Sequence, residues 1–290
     1  MKKIYLTIVL LTMWLVCGCG PSLENTTLEL ATGSAEDAVE YTFDRQTGSI
    51  KINCNRSWKA ASSAEWLVVE TPSGKAADRQ DLLIRLYENG SYDYRQAEVT
   101  ITAGKATLVV KVEQAPRIYY FVKENFNDKY MVVENTVPTG WYGDNDSNLD
   151  ADGDGFGWRC CRDSETDETF AYSYSYHEDF GRVLTPDNWL VSPRFTIPAT
   201  GFTLRWEVKG GNADYLGDKY QVCAATYDEE GVHPIDVLLE EVTTSAETLT
   251  AHRLSLDGYI GQKICIAFRH FDSEGLSRVM ITNVEVSNRK

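Results

Sequence analysis

Ala97-Glu98-Val99-Thr100-Ile101-Thr102-Ala103-Gly104-Lys105-Ala106-Thr107-Leu108-Val109-Val110-Lys111-Val112 is the stretch that decides the fold. Ala97, Val99 and Ile101 alternate with Glu98, Thr100 and Thr102. After the Ala103-Gly104-Lys105 turn, Leu108, Val110 and Val112 alternate with Val109, Lys111 and Glu113. A period of two puts one set of side chains on each face of a strand, so the stretch predicts two antiparallel strands. Upstream, Ile50, Ile52 and Cys54 alternate with Ser49, Lys51 and Asn53, and Leu82, Ile84 and Leu86 with Leu83, Arg85 and Tyr87. The rhythm closes at Gln114-Ala115-Pro116 and resumes downstream in Phe202, Leu204, Trp206 and Val208, in Tyr220, Val222 and Ala224, and in Ile264, Ile266 and Phe268. The expected fold class is all-β, and 290 residues are enough for two cores, with the boundary at Pro116.

Charge narrows the partners. The chain carries 43 acidic against 28 basic residues, a net charge of −15. With no basic stripe to override that repulsion, nucleic acid is excluded as a partner. Lys2 and Lys3 precede the apolar run Ile4–Val16, which is shorter than the ~20 residues that cross a bilayer. This is the layout of a secretory signal. Val16-Cys17-Gly18-Cys19 resembles a lipobox, with the small Gly18 before the cysteine. We therefore expect residues 1–18 to be a lipoprotein signal, Cys19 to be lipidated, and residues 19–23 to tether a lipoprotein to the outer membrane or cell surface. The five remaining cysteines cannot all pair within one chain. Cys54 reads as a small buried hydrophobe, while a Cys223–Cys265 bridge stays open.

Residues 24–116 resemble the BACON domain, a small immunoglobulin-like sandwich. The matching features are Asn55-Arg56-Ser57-Trp58, Ala64-Glu65-Trp66-Leu67, Glu88-Asn89, Tyr94-Arg95-Gln96-Ala97 and the closing Val112-Glu113-Gln114-Ala115-Pro116. Trp58 and Trp66 read as core anchors rather than sugar platforms. Residues 117–290 resemble the cleaved-adhesin, or choice-of-anchor J, family of gingipain haemagglutinin regions. The residues that carry this resemblance include Glu124-Asn125-Phe126, Pro138-Thr139-Gly140-Trp141, Leu184-Thr185-Pro186-Asp187-Asn188-Trp189-Leu190-Val191-Ser192-Pro193, Ala267-Phe268-Arg269-His270-Phe271 and Asn283-Val284-Glu285-Val286. The resemblance implies a larger jelly-roll sandwich of the kind used by adhesive and lectin-like modules. Thr282-Asn283 departs from the family's aspartate pair, which weakens any calcium site built on it.

Three groups of residues invite a functional reading. Asp150, Asp152 and Asp154 alternate with small residues, and flexible glycines with carboxylates suit a calcium ion that wants six to eight oxygens. The string matches the first half of a helix–loop–helix calcium motif but has Cys161 where the bidentate Glu belongs, so we expect a structural Ca2+ loop of another kind. Glu124 with Asn283 is a second candidate for the metal. Tyr172, Tyr174 and Tyr176 share one face of a strand. They could stack against sugar, with Trp158 as a further ligand-binding candidate, or fill half of the sandwich core; the cleaved-adhesin resemblance implies a strand within the sheet, which favours core. No catalytic residue is assigned: the four histidines form no H-E-x-x-H, no G-x-S-x-G is present, and His270 reads as a strand-end residue. The expected function is non-catalytic binding of a carbohydrate or of a host or surface protein. The alternatives are a spacer lipoprotein without its own ligand and a polysaccharide hydrolase.

Overall fold

The computed structural model describes residues 25–31, 39–127, 141, 155–162 and 166–289. The signal segment, Cys19 and the aspartates Asp150, Asp152 and Asp154 lie outside the described residues. The chain divides into two compact units, Met1–Arg117 and Ile118–Lys290. Among the described residues the regular structure is β throughout, save short 3-10 turns such as Glu178–Phe180 and Asp257–Tyr259.

The first unit contains β1 (Leu28–Leu30), β2 (Val39–Tyr41), β3 (Gln46–Cys54), β4 (Trp58–Ser62), β5 (Leu67–Val69), β6 (Ser73–Gly74), β7 (Ala77–Leu86), β8 (Arg95–Ala103) and β9 (Ala106–Gln114). They form two sheets, β1-β3-β7-β5 and β2-β9-β8-β4-β6. The hairpin of β8 and β9 pairs Ala97 with Val112, Val99 with Val110 and Ile101 with Leu108, so the apolar sets of both strands share the inner face. Ile50, Ile52 and Cys54 of β3 and Leu82, Ile84 and Leu86 of β7 close the core from the other sheet. Each fully buried Ile, Leu or Val contributes about 1.5–3 kcal/mol, which is why period two fixes this sandwich. Trp58 is an anchor of that core, its ring against Gly74, where an added Cβ would lie 2.5 Å from the indole.

The signature residues of this unit are bound to one another. Asn89 is buried and donates from Nδ2 to the carbonyls of Asp93, Gln114 and Ala115. Gln114, also buried, donates to the carbonyls of Phe43, Asp44 and Tyr87 and accepts from Arg95 at 2.9 and 2.7 Å. The Arg95 guanidinium in turn covers the Trp66 ring at 4.3 Å. The ends of β7 and β9, the start of β8 and the β2–β3 connection are thereby stitched together where backbone carbonyls would otherwise be buried without donors.

The second unit contains β10 (Tyr120–Glu124), β11 (Arg159–Arg162), β12 (Thr169–Tyr174), β13 (Tyr176–His177), β14 (Arg182–Val183), β15 (Asp187–Val191), β16 (Phe195–Thr196), β17 (Thr203–Gly210), β18 (Lys219–Asp228), β19 (Gly231–Val242), β20 (Thr250–Ser255), β21 (Lys263–Phe271) and β22 (Arg278–Ser287). One sheet runs β11-β12-β22-β17-β20, with β10 also on β22; the other runs β15-β21-β18-β19, with β16 also on β21. From β17 onward the chain passes between the two sheets repeatedly, which is the winding of a jelly roll. Phe202, Leu204, Trp206 and Val208 point inward as their alternation requires, facing Tyr220, Val222, Ile264, Ile266 and Phe268 in the shared interior.

Among the described residues the cysteines are free thiols. Cys223 lies opposite Ala267 and Cys265 opposite Ala225, so the two are diagonal neighbours, unbridged. Burial pushes their thiols up, to about 11 for Cys223 and about 12 for Cys265, which keeps both protonated and inert.

Candidate functional site

Ser173 and Ser175 alternate with the tyrosines of β12 and β13, and the serines are the buried set. The expectation that Tyr172, Tyr174 and Tyr176 fill the core is corrected by this reversal. Its cause is a polar network between the sheets. His270, fully buried in β21, makes contacts of 2.9 Å from Nδ1 to Ser173 Oγ and 3.3 Å from Nε2 to Asp218 Oδ1. Asp218, also fully buried, accepts from Ser175 Oγ at 2.5 Å and from the Ser277 N–H at 3.1 Å. Asn188 donates to Ser173 Oγ at 3.0 Å. One assignment satisfies both ring nitrogens: neutral His270 donates from Nε2 to Asp218 and accepts the Ser173 hydroxyl proton at Nδ1. Burial lowers the His270 pKa, in agreement with the neutral form. Ser173, His270 and Asp218 thus have the composition of a hydrolytic triad, but with the two ring nitrogens exchanged and all three side chains buried between the sheets.

The same network positions a segment beside the tyrosine face. Asn188 also donates from its side-chain amide to the Phe156 carbonyl at 3.1 Å, and its backbone carbonyl accepts the Trp158 indole N–H at 3.0 Å. Trp158 is 2% exposed, so it anchors this segment and presents no ring to a ligand, against expectation. Asp187 braces the strand by two bonds to Arg269, at 2.6 and 2.8 Å.

What emerges is a face of aromatic rings and arginines. Tyr172 and Tyr174, half-buried, meet edge to face at 5.0 Å, while Tyr176 begins the next short strand. Burial raises the Tyr172 hydroxyl, which stays protonated. The Arg278 guanidinium lies 5.8 and 5.5 Å from the two rings and donates to the Tyr174 hydroxyl at 3.2 Å. Beyond Tyr174 come His177 at 4.6 Å, then Phe180 at 4.6 Å and Phe156 at 5.0 Å from that imidazole. Arg159 and Arg182 each lie 5.3 Å from the Phe156 ring. Phe180 sits in the Glu178–Phe180 turn and is 70% exposed. Sequence reasoning missed Phe156, Phe180 and the three arginines. Its available signal was a phenylalanine in the turn-like Glu178-Asp179-Phe180-Gly181, where no strand period demands an apolar side chain.

The metal candidates part company. Glu124 and Asn283 do come together, lining with Lys123, Asn125, Val284 and Glu285 a cavity of about 250 Å³. Yet Glu124 accepts the Phe126 N–H at 2.7 Å, and the Asn283 amide donates to Glu207 at 2.5 Å. Asn283 has φ 51° where β17 and β22 slip register, a left-handed position at a bulge that Asn tolerates well. Glu124 and Asn283 are thus each engaged by a partner within the chain. Among the described residues no three His, Cys, Asp or Glu side chains converge on a metal-sized site.

Comparison with known proteins finds two families along the chain. Residues 129–286 match the Cleaved Adhesin Domain family, and residues 26–117 match the Viral BACON domain. Hemagglutinin A of Porphyromonas gingivalis W83 is 26% identical over 211 residues, covering 65% of this chain and 9% of that protein. Gingipain R1 of P. gingivalis ATCC 33277 is 30% identical over 167 residues, covering 53% of this chain and 10% of that protein. The chain thus spans about a tenth of the length of these curated relatives. The crystal structure of the K3 cleaved adhesin domain of Lys-gingipain from P. gingivalis W83 aligns with 59% of this chain and 99% of its own, at 25% identity and a TM-score of 0.47. With more than half of its length matched by that family, the chain belongs to the cleaved adhesin family and carries a BACON domain before its adhesin domain.

Proposed function

We propose that this chain is a non-catalytic binding lipoprotein held at the outer membrane or cell surface by Cys19. Its second unit takes a glycan on the face of Tyr172, Tyr174, Phe156 and Phe180. The single observation that carries this reading is the exposure of Phe180 at the end of a braced row of rings. Leaving a phenylalanine in water forgoes about 1.5–3 kcal/mol of burial, and a rimmed apolar patch marks a contact surface. Tyrosines with a flat apolar body and a polar tip suit the alternating C–H and O–H edges of a sugar. A family called an adhesin and a relative called a hemagglutinin support binding over chemistry.

The spacer reading applies to the first unit, for which a specific observation speaks. Asn89, Arg95 and Gln114 are engaged with one another and with the backbone, and Trp58 is packed and donates to Gln80 at 3.1 Å. That unit holds distance; the second meets the ligand.

A glycan array probed with the whole chain tests the binding reading. We expect signal that Phe180→Ala with Tyr174→Ala abolishes while the melting temperature holds. Silence on glycans and on host matrix proteins would favour a spacer throughout. Cys19→Ala should release the protein from the membrane fraction, and persistence there would refute the anchor.

A further inference from the structure

We infer that the ligand of this face is acidic: a glycan carrying sulfate or carboxylate groups, met by Arg159, Arg182 and Arg278. The inference rests on the binding reading above and adds the charge class of the ligand.

In a chain with 43 carboxylates, arginine partners are abundant, and Arg85, Arg162 and Arg269 have found theirs in Glu70, Asp167 and Asp187. Arg159, Arg182 and Arg278 make no ion pair among the described residues. Their contacts are ring faces, the Gly155 carbonyl at 3.1 Å from Arg159, and the Tyr174 hydroxyl. Arg278 Nε is buried and has no acceptor. Glu178 and Asp179 stand in the same turn as Phe180 and pair with none of the three. Arg159 and Arg182 both press on Phe156, so two like charges share one ring in an acidic protein. Such charges repel, and an anion lying between them removes the repulsion.

Guanidinium groups bind sulfate and carboxylate through paired N–H donors, and rings orient them without consuming those donors. A sugar ring stacked on the aromatic row brings its substituents to the arginines beside it. Both halves of an acidic sugar therefore have a counterpart here: the C–H face meets the rings, and the anion meets the forks. The overall charge of −15 opposes any acidic polymer at long range, so attraction has to come from these side chains at contact.

The test uses the whole chain and oligosaccharides in neutral, uronate-bearing and sulfated series of equal length, with affinity measured by calorimetry. Acidic members should bind about tenfold or more tightly than neutral ones, a difference of about 1.4 kcal/mol. Arg182→Gln, an exposed position that should leave the fold intact, should remove that preference. Arg182→Lys should restore part of it. Carboxyl-reduced and desulfated forms identify which anion is read. Equal affinity for acidic and neutral sugars would overturn the charge assignment and leave the face as a sugar platform. Acidic binding that survives both Arg182→Gln and Phe180→Ala would overturn the assignment of ligand to this face. An acidic peptide that outcompetes every glycan would overturn the glycan class, and no glycan binding at all would overturn both readings.

Discussion

Replacing Asp218 by alanine removes the acceptor on which three buried donors converge. These are the Ser175 hydroxyl at 2.5 Å, the Ser277 N–H at 3.1 Å and His270 Nε2 at 3.3 Å. The hydroxyl can rotate toward another acceptor, but the backbone N–H and the imidazole N–H are fixed by β-structure on either side. Each donor stranded away from water costs about 1–3 kcal/mol, so two of them with the small cavity left behind set the loss at about 3–5 kcal/mol. That is a large share of the ~5–15 kcal/mol by which domains are stable. Urea unfolding followed by tryptophan fluorescence provides the assay. Trp158, Trp189 and Trp206 report on the second unit, and Trp58 and Trp66 on the first. The second-unit midpoint should fall with its slope unchanged, and the first-unit transition should stay in place. Asp218→Asn keeps one acceptor oxygen and should lose less. A deficit below about 1 kcal/mol for Asp218→Ala would refute the idea that this side chain closes a dry network.

Acid should act through His270. Burial holds its folded-state pKa below the ordinary value, so the unfolded chain takes the proton first as pH falls through about 6.5. Stability of the second unit should therefore be full above that pH and decline as the pH falls below it, a slope that His270→Gln should flatten; equal midpoints above and below that pH would contradict it. We also propose that Asp150, Asp152 and Asp154 hold a structural calcium ion. Asp152→Asn with Asp154→Asn should then lower the melting temperature only when calcium is present, and identical melting of the parent chain with and without the ion would dismiss the site.

The sandwich interiors were open to reading because burial and strand period coincide there. Ala97, Val99 and Ile101, or Phe202, Leu204 and Trp206, are apolar at every second position and all face inward. The tyrosine strand misleads for the opposite reason. Alternation shows that Tyr172 and Tyr174 share a face, and hydrophobicity suggests that this face is the buried one. The deciding partners of Ser173 and Ser175, however, lie 97 and 43 residues away, in His270 and Asp218. No local window holds that information. The same distance hides the arginine face, since Arg159, Arg182 and Arg278 belong to three strands that only the folded topology brings beside the Phe156 and Tyr174 rings.

The pairing of β10 with β22 sets Tyr120 opposite Ser287, so the polypeptide enters and leaves the second unit through neighbouring strands of one sheet. A body whose two ends emerge side by side resembles a bead on a loop of thread more than a link in a rod. It can be inserted within a longer polypeptide, or repeated along one, without stretching its own seam, because both connecting segments start from the same spot.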